Sequence, residues 1–426
     1  MDFYSHLSTY LDDETILKMK ASMEGKDFHA VLLNPNKMSD DTFLKLYPEV
    51  KKHPLVEHAY IFDKEKYQLG KSIWHELGCF YIQEPSAMVV SSLLDFANDD
   101  LILDMCAAPG GKTIQAAFKN KERGLIIAND LSKPRALELS DNIERLGIGN
   151  VVVTNNDLSS LSNKYANFFD KIILDVPCSG SGMFRKDRKM EADWSINKVY
   201  KFAELQKELI LTAFNMLKPG GILSYSTCSY SYEENEEVIE YLLTRENATI
   251  LPALNSPLVF KGKYGFHFLP HLFEGEGQYV CQIKKPGTIN KSYLPIKSNF
   301  YVRLLPPSYI SWSVEKFGDY LFGLPHGIDL KEFNVVRKGV KIGEIINPNL
   351  IRYDIHFAHH IKNGLPIIEL TTDEIKLYLA GNQLNRTNQF KGDVLLRYKG
   401  VNVDIGKTDG NVIKNHYPKG LRKIYK

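Results

Sequence analysis

The sequence predicts an α/β protein whose middle is a mostly parallel, doubly wound sheet, with smaller modules before and after it. Between residues 101 and 230, five aliphatic runs alternate with helix-like segments, which is typical of a parallel sheet covered by helices on both faces. Outside that stretch the pattern changes. Residues 1–92 are typical of an α+β module, and beyond about residue 290 short strands and turns predict β-rich modules.

The length and composition fit several compact units. The chain has 426 residues, of which 44% are hydrophobic and 24% are charged, so it can bury sizeable cores. We expect an N-terminal α+β module over 1–92 and a central α/β domain over 93–290. A linking α/β module over 291–352 and a β-rich module over 353–426 follow.

Composition also bears on where the protein works. The first residues include Asp2, Asp12, Asp13 and Glu14 and have no apolar run, so they do not resemble a signal peptide. No stretch reaches the roughly 18 consecutive apolar residues of a membrane span. Five cysteines, without the C-x-x-C pairs of zinc sites, predict neither a disulfide framework nor a metal site. We therefore expect a cytoplasmic protein that binds no metal and no membrane.

The C-terminal end is locally basic on a chain whose net charge is only +2. Residues 391–426 contain nine Lys or Arg and three Asp. A basic segment of this kind is typical of contact with a polyanion. A solvated surface with a frayed end fits the charge equally well.

Each predicted strand of the middle region is followed by a loop or a helix. The strands are LILDM (101–105), GLIIAND (124–130), VVVTNND (151–157), KIILD (171–175) and ILSYSTCSY (222–230), the last after a turn at KPGG (218–221). Ser132 is placed to cap the helix after the second strand, with Pro134 in its first turn and Gly147 at its end. The N-terminal module has a strand HAVLLN (29–34) and a helix near 41–47.

Polar residues stand where these strands stop. They are Asp104, Asp130, Asp157, Asp175, Cys178 and Cys228. Ligands of open α/β sheets bind outside the carboxyl ends of the strands. Six polar residues that share this location therefore predict one site.

The small-residue loop CAAPGGKT (106–113) begins that site. A phosphate-binding loop of the G-x-x-x-x-G-K-[ST] type requires glycine where Cys106 stands, and G-x-G-x-x-G is absent as well. Small residues let the backbone approach a ligand closely. Asp130 ends the second strand, where a ribose-binding acid belongs, and Asp157 is expected near the amino group of an adenine. An adenosine without phosphates indicates S-adenosylmethionine, whereas a tight turn without a ligand is the alternative.

Two cysteines follow the fourth and fifth strands. If those strands are neighbours, Cys178 and Cys228 lie roughly 5 Å apart. Such a pair can form a disulfide, bind a metal or act as a nucleophile, and no histidine accompanies either one. A thiolate that adds to carbon 6 of a pyrimidine makes carbon 5 able to attack a methyl donor. Asp175 is placed to assist at N3, and the base must be unstacked to be reached. A buried cysteine that only fills space is the plainer reading of either one alone.

The motifs resemble those of the Sun/RsmF-type RNA (cytosine-C5) methyltransferases. DMCAAPGGKT, DVPCSGSGMF and YSTCSY are similar to the donor-binding and two-cysteine motifs of that family. The similarity extends to YIQEPSAM (81–88), to Trp194 and Gln206, and to HLFEGEGQYVCQIKK (271–285), which resembles a closing hairpin. The segment IGKTDGNVIKNHYPKGLRK (405–423) is similar to a PUA-like RNA-binding module.

This resemblance implies a Rossmann-like class I methyltransferase core, an RNA-binding N-terminal module and a C-terminal PUA-like module. It implies that Asp130 holds the ribose, Asp157 lies beside the adenine and Asp175 stands between donor and target base. It also implies that Cys228 is the nucleophile and that Cys178 assists release of the product. The methionine part of the donor would be held by Cys106, Ala107, Ala108, Pro109, Gly110, Gly111 and Lys112.

The expected activity is formation of 5-methylcytosine in RNA, with the 16S rRNA of the small ribosomal subunit as substrate and S-adenosylmethionine as cofactor. Transfer RNA is the alternative substrate, and a non-catalytic RNA-binding ribosome-assembly factor is the alternative of a different class. DNA cytosine methyltransferases use the cysteine of the PC motif, which would make Cys178 the nucleophile and leave Cys228 without a role. We expect a monomer that binds no DNA.

Overall fold

The computed structural model describes residues 2–120, 124–291, 305, 312–324, 328–361 and 364–425. Within these ranges the strands form four sheets. Residues 292–304 and 306–311 of the predicted linking module lie outside the described residues, and so does Lys426 of the basic end. In the ranges described, no helix has both the length and the apolar composition that a membrane crossing requires.

The N-terminal module is a four-stranded antiparallel sheet with helices around it, in the order β2-β3-β1-β4. Its elements are α1 (Phe3–Leu7), α2 (Asp13–Met23), β1 (His29–Leu33), α3 (Asp40–Leu46), β2 (Lys51–Lys52), β3 (Ala59–Phe62), α4 (Ile73–Glu76), β4 (Phe80–Gln83) and α5 (Pro85–Ser92). Helices α2 and α3 begin where the side chains of Asp12 and Ser39 accept hydrogen bonds from the first turn. The predicted strand at 29–34 and helix near 41–47 are confirmed as β1 and α3.

The central sheet is built around five parallel strands. Its elements are β5 (Leu101–Asp104), α6 (Gly111–Lys119), β6 (Leu125–Asn129), α7 (Lys133–Leu146), β7 (Val151–Thr154), β8 (Phe169–Asp175), α8 (Arg188–Ala192), α9 (Ile196–Met216), β9 (Leu217–Thr227), α10 (Glu236–Leu243), β10 (Thr249–Ile250), β11 (Phe260–Lys261), β12 (Phe266–Phe268) and β13 (Gln278–Lys284). The order is β11-β12-β13-β9-β8-β5-β6-β7-β16, where β16 (Val335–Lys338) comes from the C-terminal third of the chain, and β10 pairs with β13 off this path. Strands β5 to β9 are mutually parallel, and β13 is antiparallel to β9. The predicted α/β class is confirmed; antiparallel strands flank the parallel core, so the whole sheet is mixed.

The aliphatic runs explain this arrangement. Strands β5, β6 and β7 are buried along their whole length, as expected when helices cover both faces of a sheet. Helix α7 has Ser132 at its N-cap, Pro134 in its first turn and Gly147 at its end with φ of 71°, as predicted. The side chain of Ser132 makes no cap hydrogen bond. Instead, its backbone N–H donates to Asp130.

The turn predicted at KPGG (218–221) is an irregularity inside strand β9 and does not precede it. The strand starts at Leu217, and its pairing with β8 passes from Leu217 opposite Phe169 to Ile222 opposite Lys171. Gly220 has φ of +81°, and its N–H donates to the carbonyl of Lys285 at 2.8 Å. The segment therefore bulges from its ladder with β8, and the bond to Lys285 keeps it within the sheet. The segment 271–285 contributes strand β13, whose hairpin partner is β12.

The C-terminal third forms two further sheets, β14-β15-β17-β18 and β19-β21-β22-β23-β20. Its elements are β14 (Ser313–Phe317), β15 (Tyr320–Leu324), β16 (Val335–Lys338), β17 (Val340–Asn347), β18 (Leu350–Tyr353), α11 (Ile355–Ala358), β19 (Ile367–Glu369), α12 (Thr372–Leu379), β20 (Leu384–Asn385), β21 (Gly392–Tyr398), β22 (Val401–Thr408) and β23 (Val412–Lys414). Strand β16 pairs antiparallel with β7 and so extends the central sheet. The domain boundaries given by the sequence stay a prediction.

The first and last modules share a hydrophobic core. Phe43 and Phe80 of the N-terminal sheet belong to the same buried cluster as Tyr378 and Leu396 of the C-terminal module. The hydroxyl of Tyr417 also donates to the carboxylate of Glu76 at 2.7 Å. The two ends of the chain are therefore packed together beside the central domain.

Candidate functional site

A cleft of about 540 Å³ opens at the carboxyl ends of the parallel strands. That volume is in the range of small-molecule sites, roughly 300–1,000 Å³. Of the residues singled out in the sequence, those that line it are Cys106, Ala108, Asp130, Asp157, Asp175, Cys178 and Cys228. They come from loops that follow all five parallel strands, so one edge of the sheet brings them together.

The two cysteines meet at the floor of this cleft. Cys178 follows β8 and Cys228 follows β9, and the predicted adjacency of these strands is confirmed. Their sulfur atoms lie 3.0 Å apart, and both residues are free thiols. A disulfide bond would be about 2.05 Å long, so the pair is in contact without a covalent bond.

The surroundings of Cys178 favour its protonated form. The contact with Cys228 and burial together raise the pKa of Cys178 well above its ordinary value, and the carboxylates of Glu234 and Asp175 act in the same direction. Two sulfurs at this distance do not ionise together easily. The Cys178 thiol is therefore biased towards its neutral form.

Asp175 is the most heavily bonded acid of the cleft. Its carboxylate accepts hydrogen bonds from Lys112 Nζ at 2.7 Å, Ser226 Oγ at 2.6 Å and Gln278 Nε2 at 2.9 Å. Burial alone would lower the pKa of Lys112, but the carboxylate of Asp175 raises it, so the lysine is held as a cation. The sequence assigned Lys112 to the donor loop, whereas its Nζ binds Asp175. Ser226 and Gln278 were not identified from the sequence.

The small-residue loop packs against protein as well as against the cleft. A Cβ on Gly111 would lie 2.6 Å from the side chain of Gln83, and a Cβ on Gly110 would lie 2.8 Å from Leu139. Gly110 also adopts φ of 117° at the start of α6. Tight packing against Leu139 and Gln83 therefore explains why glycine stands at positions 110 and 111. The members of the predicted loop that do not line the cleft are Ala107, Pro109, Gly110, Gly111 and Lys112.

Asp104, the last residue of strand β5, anchors the loop. This side chain is fully buried, and Thr113 Oγ1 donates to it at 2.6 Å. Burial raises the pKa of Asp104 to about 7. Burial likewise raises the pKa of the Cys106 thiol. Both groups are thus biased towards their neutral forms near neutral pH.

Asp130 and Asp157 lie at the other end of the cleft. Asp130 is buried and accepts hydrogen bonds from the backbone N–H of Ser132 at 2.9 Å and of Ala108 at 3.3 Å. Asp157 is exposed and accepts a hydrogen bond from the backbone of Ser159 at 3.0 Å. Asp130 therefore joins the small-residue loop to the second strand of the parallel core, whereas Asp157 faces solvent.

Sequence reasoning missed Arg135 and Asn129. Arg135 pairs with Asp130 at 3.3 Å and donates to the carbonyl of Ala108 at 2.6 Å. Asn129 links the strand ends, because its amide donates to the carbonyls of Met105 and Asn156. The sequence signal that could have identified Arg135 is its position in the first turn of the helix that follows Asp130.

Trp194 and Gln206, which carried part of the resemblance, do not line the cleft. Trp194 precedes α9, and its ring packs edge-on against Phe3 of α1 at 5.5 Å. Gln206 lies in α9, is fully buried, and donates to the carbonyl of Pro177 at 2.9 Å. Gln206 therefore supports the Cys178 loop, whereas Trp194 packs against the N-terminal helices.

Comparison with known proteins agrees with this geometry. Residues 91–284 match the family model "16S rRNA methyltransferase RsmB/F", and residues 365–423 match the "Methyltransferase RsmF PUA domain". The ribosomal RNA small subunit methyltransferase F of Vibrio vulnificus is 31% identical, and the alignment covers 98% of each chain. That of Shewanella piezotolerans is 32% identical over 92% of this chain and 91% of the relative.

Solved structures resemble the fold. A methyltransferase homologue from Pyrococcus horikoshii is 29% identical, with a TM-score of 0.56, and the match covers 64% of this chain and 91% of that one. NSun6 from the same organism, at 22% identity, has a TM-score of 0.60 over 68% of this chain and 98% of that one, and shows the fold alone. The full-length similarity and the two matched domains together show that the chain belongs to the ribosomal RNA small subunit methyltransferase F family.

Proposed function

We propose that this methyltransferase uses S-adenosylmethionine to methylate carbon 5 of a cytosine in RNA, and that its substrate is the RNA of the small ribosomal subunit. The observation that carries the proposal is the pair of cysteine sulfurs, 3.0 Å apart, in a cleft beside Asp175. A thiol nucleophile is needed when the carbon to be methylated is itself unreactive. The names of the relatives support the choice of substrate.

The cleft suits the proposed cofactor. Asp130 and Asp157 offer carboxylates to the cleft, and Leu158, Val176 and Pro177 offer apolar surface. Arg135 also lines the cleft, but its guanidinium is bonded to Asp130 and to a backbone carbonyl. This set fits an adenosine with no phosphates. When bound, S-adenosylmethionine supplies an electrophilic methyl group.

The residues of the cleft then have separate tasks. The sulfur of Cys228 forms a bond to carbon 6 of the cytosine, which makes carbon 5 nucleophilic. Carbon 5 then takes the methyl group as its bond to the sulfonium breaks, and S-adenosylhomocysteine is the leaving group. A base removes the proton of carbon 5, the carbon–sulfur bond breaks, and the electron pair returns to Cys228. Cys178 assists this release. An unstacked cytosine is required for both sulfurs to reach the ring.

The order of the thiols follows the resemblance of the two cysteine motifs, and the surroundings of Cys178 agree with it. Contact with Cys228, burial, and the carboxylates of Glu234 and Asp175 raise the pKa of the Cys178 thiol, so this residue keeps its proton while the other sulfur attacks. We therefore assign the attack to Cys228 and assistance in product release to Cys178.

Lys112 and Asp175 act together on the target base. Addition of sulfur to carbon 6 builds negative charge at N3, which a hydrogen bond or a proton must stabilise. Asp175 accepts the hydrogen bond in its ion pair with Lys112. A proton that Asp175 passes to N3 therefore comes from the Lys112 ammonium, which lies 2.7 Å away. The contacts of Ser226 and Gln278 fix the carboxylate for this transfer.

The basic end of the chain supports an RNA partner. Within residues 391–425, exposed cations stand on or beside the strands of the C-terminal sheet; they are Lys391, Lys399, Lys407, Lys414, Lys419, Arg422 and Lys423. Their charge suits the phosphate backbone, which dominates the affinity of proteins for nucleic acids. Most of these cations belong to a folded module, so we favour RNA contact over a frayed end. We further propose a cytoplasmic monomer.

The direct test is to map 5-methylcytosine in cellular RNA by bisulfite sequencing, with and without the gene. We expect loss of one or more sites in 16S rRNA, which return when the wild-type gene is restored. Purified protein should then methylate 16S rRNA or the 30S subunit in preference to tRNA. Loss of sites only in tRNA would transfer the activity to that substrate, and an unchanged map would overturn the proposal.

A further inference from the structure

Glu234 lies behind the two cysteines and lines neither the cleft nor the surface. It ends a short turn after β9, and its side chain is fully buried. Its carboxylate accepts hydrogen bonds from the backbone N–H of Ser179 at 2.8 Å and from Ser229 Oγ at 2.6 Å. It also accepts from Ser179 Oγ and, at 3.1 Å, from Gln206 Nε2.

These donors belong to the two cysteine loops. Ser179 directly follows Cys178, and Ser229 directly follows Cys228. Gln206 adds a third element, because the same amide also donates to the carbonyl just before Cys178. One carboxylate therefore ties both loops to helix α9. Three further hydrogen bonds join the loops. The N–H of Gly182 donates to the carbonyl of Cys228 at 2.7 Å, the N–H of Tyr230 donates to Ser181 Oγ at 2.8 Å, and the hydroxyls of Ser179 and Ser229 lie 3.2 Å apart.

A carboxylate suits this place better than its amide. Burial raises the pKa of Glu234, but the hydrogen bonds from Ser179, Ser229 and Gln206 oppose that shift. An ionised carboxylate accepts at both oxygens, whereas a glutamine of the same shape accepts at one and turns an NH₂ group towards the other donors. Buried donors left without an acceptor are costly, so the loops would have to separate.

We propose that Glu234 is a positioning residue, which aligns the loops of Cys178 and Cys228 so that the two sulfur atoms meet beside the target base. This role rests on the proposed function of the two cysteines, and Glu234 itself touches no reacting atom. Ser179 and Ser229, which follow the two cysteines, connect Glu234 to the loops and so align them.

The buried charge has a second effect, on the proton of Cys178. The charged or titratable groups that act on this thiol are Cys228, Glu234 and Asp175. Loss of the Glu234 charge would remove one of the groups that oppose ionisation of Cys178. The positioning role therefore predicts a change in thiol chemistry in addition to a change in turnover.

The first experiment compares Glu234→Gln with Glu236→Gln. Glu236 is a buried neighbour whose carboxylate contacts His267 at 2.8 Å, away from both cysteine loops. We expect Glu234→Gln to lower kcat by about 100-fold, the effect of a small misplacement of reacting groups, with the KM for S-adenosylmethionine nearly unchanged. Glu236→Gln should retain the wild-type kcat. Equal activities of Glu234→Gln and the wild type would overturn the proposal.

The second experiment does not depend on methyl transfer. Oxidised glutathione should convert the two thiols of the wild type into a Cys178–Cys228 disulfide, with two glutathione molecules as the reduced product. We expect this reaction to slow by about 10-fold in Glu234→Gln, because the sulfurs no longer meet in one geometry. An unchanged rate in a folded variant would contradict the alignment.

The third measurement concerns the proton. In a Cys228→Ser background, the pH midpoint for alkylation of Cys178 by iodoacetamide should move to lower pH when Glu234→Gln is added. If Glu234→Gln does not fold, the double variant Ser179→Ala/Ser229→Ala removes two donors to the same carboxylate and should slow both methyl transfer and disulfide formation. Normal rates of both in the serine variant would overturn the proposal.

The outcomes separate this inference from the proposed function. A wild-type protein that methylates no cytosine contradicts the proposed function, whatever the thiol measurements give. A wild type that methylates cytosine, together with a folded Glu234→Gln variant of equal turnover and equal disulfide rate, contradicts only the positioning role.

Discussion

Lys112 Nζ donates a hydrogen bond to Asp175 Oδ2 at 2.7 Å, and this ion pair joins the start of α6 to the end of β8. The lysine side chain is 10% exposed and the aspartate side chain 30%. The pair therefore bridges the small-residue loop (106–113) and the part of the cleft that contains the two cysteines. The pair places the Lys112 ammonium between the proposed cofactor site and the proposed site of the target base.

The variant Lys112→Met tests what this cation does. It keeps the length and apolar stem of the side chain but leaves Asp175 without its cation. We expect kcat to fall by about 100-fold, the scale for loss of one electrostatic partner of a transition state. The dissociation constant for S-adenosylmethionine should change little. A large rise in that constant with normal kcat would instead favour the role in donor binding that the sequence suggested.

The roles of the two cysteines can be separated by single substitutions. Cys228→Ala should abolish methyl transfer, because no sulfur remains to attack carbon 6, while binding of S-adenosylmethionine persists. Cys178→Ala should accumulate a covalent protein–RNA adduct, visible as a slow band on a denaturing gel. Cys281→Ala, which changes a buried cysteine in strand β13, is the control and should show neither effect. If the two phenotypes are exchanged, the roles are reversed.

The exposed cations of the C-terminal module should govern RNA affinity. Reversing the charge of Lys399, Lys407 and Lys419 should weaken RNA binding and flatten its dependence on salt, because fewer counterions are released. Methyl-donor binding should be unaffected. The control reverses the same number of exposed charges outside both expected RNA-binding modules, at residues 201, 316 and 331. Equal salt dependence of both variants would exclude this surface from RNA contact.

The stability of the C-terminal module should depend on the protonation of Asp404. Burial raises the pKa of Asp404 to about 7, and Tyr378 donates to it at 2.7 Å. The folded state thus keeps a proton that the unfolded chain has lost, so the stability from the neutral form is present below about pH 4 and is lost as the pH rises towards 7. The upper limit of this loss is about 4 kcal/mol.

Asp404→Asn should remove that part of the pH dependence, since an amide stays neutral. Denaturant unfolding of the two proteins at several pH values measures the difference. Asp104, whose pKa is also raised to about 7, titrates over the same range in both proteins and cancels in the comparison. Parallel stability curves for the variant and the wild type would refute the assignment to Asp404.

The central sheet and the meeting of the two cysteines could be predicted from the sequence. Parallel strands end at the same edge, so residues just after neighbouring strands are brought together by the topology alone. Cys178 and Cys228 satisfy that condition, and so do Asp130 and Asp175. The sequence placed the turn at 218–221 before the fifth strand. Its position as a bulge inside β9 depends on β8 and Lys285, which are remote in the sequence.

Other parts of the site could not be predicted because they depend on contacts between distant segments. Gln278 reaches Asp175 from strand β13, 103 positions away, and Gln206 reaches Glu234 from helix α9. Neither residue belongs to a run of polar residues at a strand end. A buried carboxylate such as Glu234 also looks like an ordinary surface acid in the run YEENEE (232–237). Its environment is visible only in three dimensions.

The core shared by the first and last modules has a consequence for synthesis of the chain. The N-terminal sheet leaves the ribosome first, but Tyr378 and Leu396, which share a buried core with Phe43 and Phe80, are made near the end. The N-terminal sheet can therefore complete this core only after the C-terminal module has been synthesised.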